Sequence, residues 1–165
     1  MKRRAVYPGS FDPWTEGHEE ILETAARMFD EVIVVIGKSN NKPLRRFERQ
    51  SMIEAIEKTF AERGINNAKV TFHDGVIALY AKQMGATCLV RGARNQTDFQ
   101  HEIDLAKSIK RKFSLDTAVL FTLEHGTISS SVVYEYFGYD IDIFDDVPGP
   151  VLEVMMAARE AKDKK

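Results

Sequence analysis

The run Val32-Ile33-Val34-Val35-Ile36 constrains this chain more than any other stretch. Consecutive β-branched side chains on an extended strand point alternately to its two sides, so a strand carrying this run must be covered on both faces. A sheet with one wet face would alternate apolar and polar residues. The run therefore predicts the inside of a parallel sheet with helices on either side. The remaining chain fits that frame. Strands are expected at residues 5–7, 69–72, 87–90 and 117–123, with the Pro8-Gly9 pair stopping the first. Between them, apolar residues recur at helical spacing: Ile21, Leu22 and Ala25, then Met52, Ile53, Ile56 and Phe60, then Ile77, Tyr80 and Met84, then Phe99, Ile103 and Ile109. A turn at residues 147–150 leads into a last helix through Val151, Leu152 and Met155. This alternation predicts an α/β fold, a doubly wound five-stranded parallel sheet.

At 165 residues the chain is expected to be one domain, 1–165, with no linker, internal repeat or low-complexity segment. A net charge of −2 argues against nucleic acid as a partner recognised by overall charge, so an anionic ligand needs a local cationic site. The single cysteine, Cys88, lies in an apolar run and reads as a buried thiol in a reducing compartment. No apolar stretch resembles a signal peptide or approaches membrane-spanning length, and a cytoplasmic location with no membrane partner is expected.

Four loops follow the carboxyl ends of strands, the edge at which open α/β sheets bind ligands. The first, residues 7–18, carries Gly9, Ser10, Gly17 and His18 into a helix N-terminus, whose unpaired N–H groups and partial positive charge suit a phosphate. By spacing alone the glycines could equally be turn residues, Thr15 an N-cap and His18 a solvated first-turn residue. The second loop, residues 38–46, is basic and contains Lys42. A third has Arg91 and Arg94 around Gly92. The fourth holds Ser129, Ser130 and Ser131, of which capping explains one. Each has a structural reading of its own; their shared edge favours a polyphosphate site.

Cations, hydroxyls and helix N-termini without paired carboxylates suit phosphoryl or nucleotidyl transfer, which gains chiefly from positioning and charge stabilisation. The chain lacks the GxxxxGK[ST] string of P-loop enzymes and the GxGxxG of dinucleotide dehydrogenases. One cysteine and four scattered histidines do not make a zinc site.

Gly9-Ser10-Phe11-Asp12-Pro13-Trp14-Thr15-Glu16-Gly17-His18 resembles the signature G-x-F-D-P-x-T-x-G-H of the nucleotidyltransferase superfamily, the threonine form of the (H/T)xGH motif. Arg91-Gly92-x-Arg94 with Asp98, Phe99 and Glu102, and Ile128-Ser129-Ser130-Ser131 with Val133 and Glu135, narrow it further. Over roughly residues 3–157 the chain is similar to the bacterial phosphopantetheine adenylyltransferases.

That resemblance implies a Rossmann-like nucleotidyltransferase fold and transfer of the adenylyl group of ATP to 4′-phosphopantetheine, giving dephospho-coenzyme A and pyrophosphate in the penultimate step of coenzyme A synthesis. It assigns His18 to the α-phosphate in the transition state, and Ser10, Lys42 and Arg91 to the attacking phosphate. Arg94, Ser130 and Ser131 would hold the β- and γ-phosphates beside Ser129, and Gly9, Phe11, Gly17, Gly92 and Glu102 would line the nucleotide pocket. Asp74, Val76, Ile77 and Glu135 would meet the pantetheine arm. Mg²⁺ would come with ATP, held mainly through phosphates with no protein metal ligand and none expected of Asp12. A homohexamer and feedback binding of coenzyme A are implied as well. Departures fall mostly on the acceptor side: Asn41-Lys42-Pro43 replaces the family's KKP string, His101 stands for a tyrosine near the nucleotide, Ile109 for an asparagine, and Tyr134 for a basic residue. Two alternatives stay open: a transferase of the same superfamily using CTP or another phosphate acceptor, and a catalytically silent nucleotide- or coenzyme A-binding protein.

Overall fold

The computed structural model of the protein describes residues 1–38, 44–125 and 128–164. Its elements follow the expected alternation: β1 (Arg4–Gly9), α1 (Glu16–Met28), β2 (Glu31–Gly37), α2 (Arg49–Glu62), β3 (Ala68–His73), α3 (Ile77–Gln83), β4 (Cys88–Ala93), α4 (Gln96–Phe113), β5 (Asp116–Phe121), α5 (Ser130–Gly138) and α6 (Gly149–Asp163). The strands form one parallel sheet in the order β3-β2-β1-β4-β5. Strand order reverses between β1 and β4, and such a switch point opens a crevice at the carboxyl ends of the strands.

The two-sided burial read from β2 is present. Val32 through Ile36 are all fully buried, and they divide by parity between two cores. Val32, Val34 and Ile36 join Ile21, Leu22, Met52, Ile56, Val133, Val151 and Met155, so α1, α2, α5 and α6 cover one face. Ile33 and Val35 join Val6, Leu89, Ala78, Ala81 and Ile109, which places α3 and α4 on the other. Each fully buried aliphatic side chain contributes about 2 kcal/mol of transfer free energy. Truncating Ile33 to alanine would cost roughly 2–5 kcal/mol, because the packed layer cannot close around the void.

Pro8 and Gly9 do not stop β1, contrary to the sequence expectation. They pair with Val35 and Ile36 of β2, whereas pairing with β4 ends at Val6 opposite Leu89. In a strand the N–H and C=O of one residue face the same neighbour. The Pro8 carbonyl accepts Nη1 of Arg91 on β4 at 3.3 Å, so the side on which Pro8 lacks a donor is the β4 side. Proline thus ends one ladder and leaves the other intact. The gap so opened lies at the switch point.

The start of α6 also differs from the expectation, since Gly149 and Pro150 form its first turn. A proline there forfeits no helical hydrogen bond.

Candidate active site

At the switch point lies a cavity of about 440 Å³, lined by Gly9, Ser10, Phe11, Thr15, Gly17 and His18 from the first loop, Arg91, Gly92 and Arg94 from β4 and its exit, Asp98 and Glu102 from α4, and Ile128 with the three serines at the start of α5. Every residue that the family resemblance assigns to ATP lines it.

His18 owes its position to the start of α1. Thr15 caps the helix, and its hydroxyl accepts the His18 N–H at 3.3 Å. In return the His18 ring accepts the Thr15 backbone N–H at Nδ1, 3.0 Å away. Histidine thereby takes the place that glutamate has in a capping box. With Nδ1 used as an acceptor, the proton of the neutral ring sits on Nε2. Two aromatic rings wall it in: Phe11 edge-on at 4.9 Å and Trp14 at 5.5 Å between centroids.

Phe11 is itself buried, at a φ of 45° that non-glycine residues seldom adopt. Its ring lies over Gly9, where an added Cβ would come within 2.6 Å of it. Gly17 is under similar pressure from the loop after β5, with the His125 carbonyl 3.1 Å from the would-be Cβ. That loop is tied to α1 by Glu20, whose carboxylate accepts the backbone N–H groups of Leu123 (2.6 Å), Glu124 (3.3 Å) and His125 (3.0 Å).

The two arginines arrive already paired. Arg91 donates Nε to Glu102 at 2.8 Å and Nη2 at 3.0 Å, a bidentate fork on a carboxylate that is 6% exposed. Arg94 meets Asp98 at 3.0 Å. Burial pushes the Asp98 carboxyl up, and the side-chain and backbone donors of Arg94 outweigh this, leaving it below the usual carboxylate range. Both cavity carboxylates are therefore engaged in holding arginines rather than in acid–base work.

The serines divide their tasks. Ser129 caps α5 by accepting Val132 N–H at 3.3 Å, Ser130 donates to the Pro13 carbonyl at 2.8 Å, and Ser131 accepts Nη2 of Arg46 at 3.2 Å. The Ser130 bond ties the first loop to α5, so two helix N-termini open on one cavity.

Three residues that sequence reading left without a role hold the first loop. Asp12 accepts the backbone N–H groups of Arg46 (2.8 Å) and Phe47 (3.0 Å). Arg45 returns Nη1 to the Ser10 carbonyl at 2.6 Å, and Arg46 gives Nη1 to the Asp12 carbonyl at 3.1 Å. An acidic residue in the first loop facing a basic second loop was the available signal.

The acceptor-side residues are placed differently. Lys42 lies outside the described residues. Asp74, Val76, Ile77 and Glu135 do not line the cavity. Asp74, at the end of β3, pairs with Arg49 at 2.9 Å, and the Arg49 guanidinium stacks 4.7 Å from the Phe72 ring. Val76 caps α3 without a side-chain bond, and Glu135 is exposed on α5. Ile109 belongs to the core beneath β1 and β4, so apolarity suits its place. Tyr134 packs on Phe47 at 5.8 Å and receives the Arg46 guanidinium at 4.6 Å. His101 is exposed and does not line the cavity.

Comparison with known proteins agrees with this geometry. Residues 6–135 match the family model described as cytidylyltransferase-like. The phosphopantetheine adenylyltransferase of Cytophaga hutchinsonii is 38% identical over 150 residues, covering 90% of this chain and 98% of that protein. That of Lachnoclostridium phytofermentans is 36% identical over 154 residues, covering 91% of each. The solved nicotinic acid mononucleotide adenylyltransferase of Plasmodium falciparum, complexed with NaAD, matches with a TM-score of 0.69 at 19% identity, over 95% of this chain and 96% of that one, which shows a shared fold. A switch-point cavity built on the first-loop signature, together with relatives aligned over nine-tenths of the chain, identifies the family: this chain belongs to the phosphopantetheine adenylyltransferases.

Proposed function

We propose that this protein transfers the adenylyl group of ATP to 4′-phosphopantetheine, releasing pyrophosphate and forming dephospho-coenzyme A in a cytoplasmic step of coenzyme A synthesis. The observation that carries the reading is the convergence of His18, Arg91, Arg94 and two helix N-termini on one cavity. A phosphate oxygen of the acceptor attacks the α-phosphorus of ATP in line, the bond from that phosphorus to the bridging oxygen breaks, and pyrophosphate leaves. The acceptor phosphate is ionised at neutral pH, so no general base is required.

Each residue has a part in this reading. His18 donates Nε2–H to the α-phosphoryl oxygens as charge accumulates on them. Ser10, Lys42 and Arg91 orient the attacking phosphate, and Arg94, Ser129, Ser130, Ser131 and the α5 N-terminus receive the leaving pyrophosphate. Phe11, Gly17 and Gly92 shape the nucleotide pocket, and Glu102 acts there through its fork on Arg91. Asp74, Val76, Ile77 and Glu135 receive the pantetheine arm. Such contacts accelerate the reaction because they are stronger in the transition state than in the ground state.

Magnesium, which screens the triphosphate charge, would be carried by ATP. The cavity carboxylates Asp98 and Glu102 are each held by an arginine, and among the described residues no three His, Cys, Asp or Glu side chains are grouped to hold a metal ion. That donor set suits a cation bound through phosphate oxygens and water. A homohexamer and feedback binding of coenzyme A in the same site complete the reading. Exposed Leu123, and Phe99 and Phe121 with ring centroids 5.3 Å apart, offer apolar surface that assembly would cover. Light scattering after size exclusion tests the assembly.

Incubation with ATP or CTP, Mg²⁺ and a set of phosphate acceptors, monitored by pyrophosphate release, tests the function. The expected result is turnover with ATP and 4′-phosphopantetheine. Turnover with CTP and another acceptor alone would replace this reading with the other superfamily chemistry.

A further inference from the structure

Beneath the catalytic loop lies an acid that the reaction does not use. Glu19 follows His18 on α1 and is fully buried, an uncommon place for a glutamate. One carboxylate oxygen, Oε2, accepts the indole N–H of Trp14 at 2.6 Å. The other, Oε1, is buried and has no hydrogen-bond partner among the described residues. Trp14 is also fully buried and is the only tryptophan of the chain.

What makes this pair relevant is where the indole stands. Its ring meets Phe11 at 4.8 Å and Tyr7 at 6.0 Å on one side, Phe60 at 6.1 Å behind, and His18 at 5.5 Å at the rim. His18 has one ring nitrogen fixed by the Thr15 N–H, and its ring plane is set by Phe11 and Trp14. A tryptophan in an apolar layer can tilt or slide in its slot unless its single donor is tied down. Here the tie comes from the residue next to the histidine.

We propose that Glu19 is a positioning residue: by holding the Trp14 indole N–H, it fixes the aromatic wall against which His18 is oriented toward the α-phosphate. The proposal rests on the adenylyl-transfer reading for its rate consequence, and on geometry alone for the link from Glu19 to Trp14. A buried carboxylate costs stability. An apolar residue would fill the space without that cost and would leave the indole N–H without an acceptor. Charged and titratable groups around Glu19 are Arg63 at the end of α2, Glu16 and Glu23 on α1, and Tyr7 on β1. Burial drives the Glu19 carboxyl up to about 7, with the Trp14 bond and Arg63 opposing, so the pair is sensitive to pH near neutrality.

The test compares Glu19→Leu, which removes the acceptor, with Glu19→Gln, which keeps it without charge. With circular dichroism confirming the fold, Glu19→Leu is expected to lower kcat about tenfold or more with the KM for ATP changed less than about twofold, as a misoriented catalytic group does. It should also shift the fluorescence emission of Trp14, a readout that needs no substrate. Glu19→Gln should restore kcat to within about threefold of wild type, with emission near the wild-type position, since the indole keeps its partner. If Glu19→Leu does not fold, Trp14→Phe keeps an aromatic ring and removes the donor together with the volume of the five-membered ring, and a loss of kcat at constant KM at least as large is expected. Wild-type kcat in a folded Glu19→Leu or Trp14→Phe protein overturns the proposal, and so does a Glu19→Gln enzyme as impaired as Glu19→Leu. An inactive wild-type protein whose Trp14 emission still responds to Glu19→Leu would instead overturn the adenylyl-transfer reading and leave the contact standing.

Discussion

The cavity residues proposed for the nucleotide and the residues outside it proposed for the acceptor are held in different ways. His18 has Thr15, Phe11 and Trp14 around it, Arg91 has Glu102 and the Pro8 carbonyl, and the first loop is bound through Asp12, Arg45 and Ser130. Among the residues proposed for the acceptor, Asp74 is itself exposed and pairs with one partly buried arginine, Val76 has half of its surface in solvent, and Glu135 has an exposed position on α5. Charge developing on a phosphoryl group is stabilised only by groups fixed before it appears. A flexible arm carrying no reacting atom tolerates a softer surface. Of the departures from the family pattern, Tyr134 packs on Phe47 and Arg46, Ile109 turns into the core, His101 is exposed, and the first-loop signature is unaltered.

If the division is right, substitutions should lose effect as they move from one side to the other. His18→Ala is expected to be the most damaging, lowering kcat on the order of a thousandfold with ATP binding largely kept. Steady-state kinetics with equilibrium binding would check it, and an unchanged kcat would remove His18 from the reaction. Glu102→Leu should come next. It frees the Arg91 fork and leaves that charge partly buried, lowering kcat/KM up to about a hundredfold and stability by about 3 kcal/mol. A urea midpoint and a rate measured on one preparation separate the two effects.

The pH dependence of stability probes the same side through Glu19. In the fold this carboxyl keeps its proton up to about 7, against an ordinary 4.5. The folded state therefore binds more protons than the unfolded chain in that interval, and stability falls as pH rises from about 4.5 to 7, then levels off. The contribution is roughly 3 kcal/mol. Urea unfolding at pH 5 and pH 8 should show this decline in the wild type and less of it in Glu19→Gln. An equal decline in both would assign it to other groups. The smallest effect is expected at the acceptor side, where Asp74→Ala should raise the KM for 4′-phosphopantetheine by less than about tenfold and leave kcat alone. A drop in kcat would place Asp74 among the transition-state contacts.

The parts of this arrangement visible in the sequence are those carried by local pattern. The β2 run announced a sheet covered on both faces, and the first-loop signature announced His18 and the helix end beside it. What could not be read depends on contacts between distant segments. Asp12 binds backbone 34 and 35 residues away, and Glu20 binds backbone 103 to 105 residues away. Neither carboxylate differs locally from a solvated one. Pro8 was misread because a proline normally ends a strand, whereas here it interrupts pairing with one neighbour only. Ile109, by contrast, is placed by helical spacing in the apolar stripe of α4, and it packs in the core.

Pyrophosphate release from ATP in the presence of 4′-phosphopantetheine and Mg²⁺, compared between wild type and His18→Ala at saturating substrate, is the most direct test of the central claim. Rapid release by the wild type, reduced on the order of a thousandfold in the variant with ATP still bound, is the predicted result. Equal release by both proteins, or release by the wild type with CTP and none with ATP and 4′-phosphopantetheine, would contradict it.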